Sequence, residues 1–163
     1  MLEAEPRTVV EDVDGLLDAC EEAGLVRSEI VLAQLNRGLN NRVMVARDGK
    51  TSVVVKRYFH HFDDERDRRS AEYSFASFVI AQGIDCVAKP LITDPVAGIT
   101  VFEMIEGRDI VPQDVDSEAV SAAMDFFVKV NAKRSAPADS ALPSASEACS
   151  SIATHIDIVS KRV

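Results

Sequence analysis

Lys56 closes a run of three β-branched apolar residues, Val53, Val54 and Val55, in the stretch TSVVVKRY at 51–58. Such a run reads as a buried strand. An ammonium at its end is costly to bury unless something pairs with it. Two chemical partners would account for it: a carboxylate on the next element, or the phosphate of a ligand. Glu72 is the first candidate carboxylate, because it flanks the apolar face of the helix-patterned segment that follows. Glu65, seven residues earlier and on roughly the same face, competes with it. The other chemistry-bearing residues are sparse. His60, His61 and His155 are the only histidines, and Cys20, Cys86 and Cys149 lie far apart with no C-x-x-C spacing. That pattern suggests neither a disulfide frame nor a zinc site, and fits buried or idle thiols in a reducing compartment.

The elements that must position Lys56 and Glu72 can be read from periodicity. In TVVEDVDGLLDACEEA, 8–23, the residues Val9, Val10, Val13, Leu16, Leu17 and Cys20 fall at helical spacing, with Gly15 weakening the pattern and Gly24 as its C-cap. EIVLAQL at 29–35 and RVMVAR at 42–47 read as strands, separated by the loop NRGLNN. Asp48-Gly49 is a two-residue hairpin signal, and TSVVVKRY follows as the third strand. A helix is expected next, with Ala71, Phe75, Phe78, Val79 and Gln82 on one face over roughly five turns, stopped by Gly83. CVAKPLIT, 86–93, is a short strand that Pro90 assigns to an edge. GITVFEMIEG, 98–107, is the fifth strand. This order predicts an α+β fold: a five-stranded antiparallel sheet with one crossing helix.

Beyond Gly107 the pattern changes. Residues 108–117 read as a linker. A helix is expected at 118–134, with Val120, Met124, Phe127 and Val128 on one face, then a Ser/Ala/Pro-rich loop at 135–146 and the beginning of one more helix. The division expected is 1–107, 108–117 and 118–163.

Composition narrows the function classes. The chain has 163 residues, 47% hydrophobic and 28% charged, with a formal net charge of −9. This is an ordinary globular composition. It argues against a general nucleic-acid binder, which carries a basic face. No apolar run approaches the ~18 residues of a membrane helix, and the acidic start MLEAEPRTVVEDVDG has no basic leader region. A cytoplasmic protein is expected.

With these motifs in place, residues 30–134 resemble the N-terminal lobe of the aminoglycoside phosphotransferase and choline kinase-like family, whose fold is protein-kinase-like. NRGLNNRVM resembles that family's Gly-x-x-Asn nucleotide loop, with Gly38 and Asn41 in the matching places. VVVKRY resembles the phosphate-lysine strand. RSAEYSFASFVIAQGIDCVAKPL resembles the glutamate helix and the approach to the fourth strand, although Ala88-Lys89-Pro90 replaces the more usual Pro-x-Pro. VFEMIEGRDI resembles the hinge strand and linker. The resemblance implies that ATP or GTP binds here. Gly38 would let the loop backbone approach the phosphates, and Asn41 would fix the loop by bonding its own backbone. Lys56 would meet the phosphates and Glu72 would orient it. The C=O of Glu103 and the N–H of Ile105 would meet adenine, with Phe102 behind the ring and Val43, Val54 and Ile105 as apolar walls.

The family's chemistry needs a His-x-Asp-x-x-x-x-Asn loop. HIDIVSKR carries His155 and Asp157, but Arg162 stands where asparagine should, inside a helical pattern. The segment HHFDDERD has no asparagine after its acids. No catalytic residue and no metal ligand is therefore expected in this chain. Mg²⁺ and a small hydroxyl-bearing substrate would be held by residues outside it, as in a fragment of a longer phosphotransferase or a separately encoded remnant. Exposed apolar helix faces would then favour self-association. Two other readings compete: a non-catalytic binding or regulatory module that kept the fold, and a small α+β domain whose Lys56 and Glu72 are only surface charges.

Overall fold

The computed structural model describes residues 13–36, 41–59, 66–108, 110–132, 142–143 and 151–160. Among these, the chain forms α1 (Val13–Glu22), β1 (Val31–Asn36), β2 (Asn41–Arg47), β3 (Ser52–Tyr58), α2 (Arg68–Ala81), β4 (Pro90–Asp94), β5 (Ile99–Glu103), α3 (Ser117–Asn131) and α4 (Ile152–Ser160). The five strands make one sheet in the order β1-β2-β3-β5-β4, and every neighbouring pair is antiparallel. The fold is α+β. No helix of the described residues is long and apolar enough to cross a membrane.

Register assigns the two faces. Val53, Val55, Ile99 and Val101 lie on one face of β3 and β5, since Val55 pairs with Val101 and Arg57 with Ile99. All four are buried, together with Ala46 of β2 and Leu16, Ala19 and Cys20 of α1. The alternate residues, Val54, Lys56 and Tyr58 with Thr100 and Phe102, turn to the other face, where α2 packs through Ala76 and Val79. The sheet is thus covered on both sides, and α1 seals the larger core. Each fully buried Val, Ile or Leu contributes about 1.5–3 kcal/mol relative to exposure, so α1 is a structural member of the fold.

Both sheet-covering helices end by one device. Gly24 at φ +100 lets Leu25 N reach Cys20 O at 3.1 Å, and Gly83 at φ +74 lets Ile84 N reach Val79 O at 3.3 Å. In each case the residue after the glycine is buried. This is the six-to-one closure in which a hydrophobic residue folds back on the last turn. At its start α2 is capped by Asp67, whose carboxylate accepts from Ser70 N at 2.8 Å.

Several expected boundaries shift. The first helix is described from Val13, so Val9 and Val10 lie outside the described residues. The crossing helix has 14 residues, about four turns. Its buried line is Ala76 and Val79, while Phe75 is exposed, because the small Ala76 is what lets the helix approach the sheet. The fifth strand ends at Glu103, and Met104–Gly107 runs on without regular structure. Pro90 is the first residue of edge strand β4, where its missing N–H is tolerated. The β2–β3 turn is offset by one residue. Asp48 N donates to Thr51 O at 3.2 Å, so the turn proper is Gly49-Lys50, with Gly49 at φ +85 in the first corner.

The offset gives Asp48 another role. Its side chain is buried and accepts from Thr51 N at 2.8 Å, Lys50 N at 3.0 Å and Val26 N at 2.8 Å. It therefore joins the hairpin turn to the segment leaving α1. The Thr51, Val26 and Lys50 amides, in that order, pull its carboxyl down from 3.8 to about 2. A carboxyl depressed in the folded state contributes stability that is present above its unfolded value and lost as pH falls through the folded one. Asp48→Asn is expected to melt at a lower temperature than the parent at neutral pH. The gap should close as pH falls from 3.8 to about 2. Thermal melts followed by circular dichroism check this, and a gap constant across that window would show that the amides do not hold the carboxylate.

Candidate functional site

On the α2 face of the sheet, β3 and α2 bring Lys56 and Glu72 together. Lys56 Nζ lies 2.8 Å from Glu72 Oε1 and 2.5 Å from Oε2. The side chains are 22% and 40% exposed, between the surface and buried regimes of ion pairs. Strand alternation points Lys56 off the sheet towards α2. Helical spacing puts Glu72 one turn before Ala76, the residue that seats the helix. Glu65 lies outside the described residues.

Tyr58 is the third member of the group. Being two residues beyond Lys56, it falls on the same face of β3. Its hydroxyl donates to Glu72 Oε2 at 2.9 Å, and its ring centroid lies 5.1 Å from Lys56 Nζ. Burial, then the Glu72 charge and its hydrogen bond, push the phenol well above its usual range, so it stays a neutral donor.

The pair opens onto a cavity of about 500 Å³. That is a size suited to a small-molecule ligand. Its floor is the sheet: Val43 of β2, Val54 of β3 and Phe102 of β5, adjacent because Val54 pairs with Phe102 and Val43 with Lys56. Leu35 of β1 rims one side. Phe75 and Ala76 of α2, with Val87 and Ala88, form the wall; Glu103, Met104 and Ile105 form the end. Lys56 and Glu72 are the charges at one end of an otherwise mostly apolar slot.

Of the residues the sequence put forward, Val43, Val54, Lys56, Glu72, Phe102, Glu103 and Ile105 all line this cavity. Gly38 lies outside the described residues. Asn41 is not among the residues lining the cavity. Its Oδ1 accepts from Phe59 N at 3.2 Å, because Asn41 opposes Tyr58 at the end of the β2–β3 ladder. Glu103 is committed to the backbone: its N–H donates to Lys89 O and its Oε1 accepts from Lys89 N, both at 2.9 Å. That clasp fixes the chain where it leaves β5. Leu35, Phe75, Ala76, Val87, Ala88 and Met104 were not anticipated as lining. For Tyr58 the signal was present, since a two-residue period places it beside Lys56.

The remaining candidates lie elsewhere. His60 and His61 fall outside the described residues. His155 and Asp157 sit within helix α4 and are exposed, so their His-x-Asp spacing forms no loop. Cys20 is fully buried, and burial pushes its thiol up to about 11, which keeps it unreactive. Cys86 is exposed and free; Cys149 is outside the described residues. No protein-family model matches the chain, and no curated protein matches it.

An ion pair kept for stability and one kept for binding respond differently to replacement. Glu72→Leu alone strands a half-buried ammonium and is expected to lower stability by about 1–3 kcal/mol. The double variant Lys56→Met/Glu72→Leu is expected to regain most of that loss, since apolar side chains can substitute for a desolvated pair. Urea unfolding midpoints of the three proteins check it. A double variant no more stable than the single one would mean that the pair itself holds the fold.

Proposed function

We propose that this chain is the nucleotide-binding lobe of a small-molecule phosphotransferase, as its resemblance to the aminoglycoside phosphotransferase and choline kinase-like family implies. The observation that carries the reading is the Lys56–Glu72 pair at the mouth of the apolar cavity. A nucleotide is a flat apolar base joined to a polyanion, and this site offers an apolar slot ending in a cation. Adenine or guanine would lie between the sheet residues Val43, Val54 and Phe102 and the chain after β5. Main-chain groups of Glu103 and Ile105 would meet its edge. The phosphates would reach Lys56, which Glu72 holds in place. The strand order and the position of α2 between β3 and β4 support a protein-kinase-like N-lobe.

Phosphoryl transfer depends on positioning and charge neutralisation, and needs a base and Mg²⁺ ligands besides this lysine. The 163 residues contain no His-x-Asp-x-x-x-x-Asn sequence. Under this reading other residues supply the base, the metal ligands and the site for the hydroxyl acceptor. That same lack favours a second reading, a non-catalytic nucleotide-binding module.

Titration calorimetry with Mg²⁺–ATP, Mg²⁺–GTP and adenosine tests what the two readings share. Residues 1–163 are expected to bind a nucleoside triphosphate and to transfer no phosphate to aminoglycosides, choline-like alcohols or sugars. Lys56→Ala is expected to weaken triphosphate binding by about tenfold or more while leaving adenosine binding nearly unchanged. No binding by the parent, or equal binding by Lys56→Ala, would overturn the nucleotide assignment. Turnover by residues 1–163 would show catalytic residues within them.

The reading also gives α3 and α4 a place at a contact surface. Val120, Met124, Phe127 and Val128 of α3 and Ile152, Ile156 and Val159 of α4 are exposed. Self-association is the expected outcome. Sedimentation velocity would show a concentration-dependent rise in mass that Phe127→Glu reduces; a concentration-independent monomer would refute it.

A further inference from the structure

Glu72 is held from two sides. Lys56 approaches both carboxylate oxygens, and the Tyr58 hydroxyl donates to Oε2 at 2.9 Å. Thr100, opposite Lys56 on β5, is fully buried. Thr100 Oγ1 lies 3.4 Å from Thr93 Oγ1 on β4, and Arg69 of α2 donates to Thr93 Oγ1 at 2.6 Å. A second run of contacts thus goes from Arg69 on α2 through Thr93 on β4 to Thr100 on β5. It fixes α2 to the sheet at the height of the ion pair.

A phosphate arriving at the cavity competes with Glu72 for Lys56. If Lys56 were the only partner of Glu72, the carboxylate would lose its anchor as the ammonium turned to the phosphate. The Tyr58 hydroxyl supplies a second anchor that a phosphate does not compete for. The Tyr58 ring bounds the ammonium on the other side, 5.1 Å from its centroid, and limits where Lys56 can swing. Tyr58 does not line the cavity, so it acts only through Lys56 and Glu72.

We propose that Tyr58 is the positioning residue of the phosphate site: it holds Glu72 while Lys56 engages a nucleoside polyphosphate. The proposal rests on the nucleotide reading above. It adds a division of labour, in which β3 supplies the phosphate-binding cation and, two residues on, the group that steadies its counter-ion.

Tyr58→Phe is the informative variant, because it keeps the ring and its packing and removes only the hydroxyl. Affinities for Mg²⁺–ATP and for adenosine are measured by calorimetry on the 163-residue protein, its Tyr58→Phe variant and its Lys56→Ala variant, well below their melting temperatures. The expected result is a loss of about three- to tenfold in ATP affinity for Tyr58→Phe, with adenosine affinity unchanged. A purely structural role would weaken both ligands together, and that outcome overturns the proposal. So does a Tyr58→Phe variant that binds ATP like its parent while Lys56→Ala does not; the nucleotide reading would then stand without it. A parent protein that binds neither ligand overturns the nucleotide reading and this inference with it.

Discussion

The two-residue alternation of β3 is the constraint on which the rest of the structure depends. β3 is the middle strand of five and is covered on both faces. Val53 and Val55 must enter the core under α1, which forces Val54, Lys56 and Tyr58 to the opposite face. A register slip of one residue would drive an ammonium into the α1 core and turn the valines towards the cavity. The hydrophobic demand of one face therefore fixes the position of the charge on the other. Asp48 acts on the same strand from its beginning, because its three amide contacts set where the hairpin turns.

Once the charge is placed, its neighbours follow from its cost. A half-buried ammonium needs a counter-ion, and among the described residues α2 supplies it through Glu72. The helix can come close because Ala76 and Val79, one and two turns after Glu72, are the residues it buries. A large residue at 76 would lift α2 and open the 2.5–2.8 Å contacts. The apolar packing of α2 and the geometry of the ion pair are thus one feature, and the cavity beside them is the space the helix leaves uncovered. Glu103 completes it at the far end by clasping Lys89, which holds the chain after β5 against the start of β4.

How much of this was legible depended on the range of the interaction. Strand alternation and glycine stops are local, and they located all five strands and the ends of α1 and α2. The Lys56–Glu72 pair was also legible, since a charge after three valines demands a partner and the next helix offered one. Tyr58 needed only the same period of two. Less local features were hidden. The sequence pattern of α2 favoured Phe75 over Ala76, because hydrophobicity does not reveal that the closest approach to a sheet requires a small side chain. It also gave no sign that α1 seals the larger core, since an amphipathic pattern says that a face is buried but not against what. The Asn41 contact is likewise non-local. Its partner, Phe59 N, is 18 residues away and is brought near only by the ladder.

The same accounting separates α3 from the helices that cover the sheet. Asp116 caps α3 through Glu118 N and Ala119 N, so its start is as well specified as that of α2. Yet none of its residues is buried, whereas α1 and α2 each bury part of their apolar face. Where the end of α3 meets the turn after α2, the two leave a cavity of about 330 Å³ lined by Gln82, Cys86 and Lys129 among others. Gln82 Oε1, buried there, has no hydrogen-bond partner among the described residues. A buried acceptor without a partner costs about 1–3 kcal/mol, and four apolar side chains left in water forgo a further stabilisation that burial would provide. Local signals build α3 as a helix, but the described residues do not bury its apolar face.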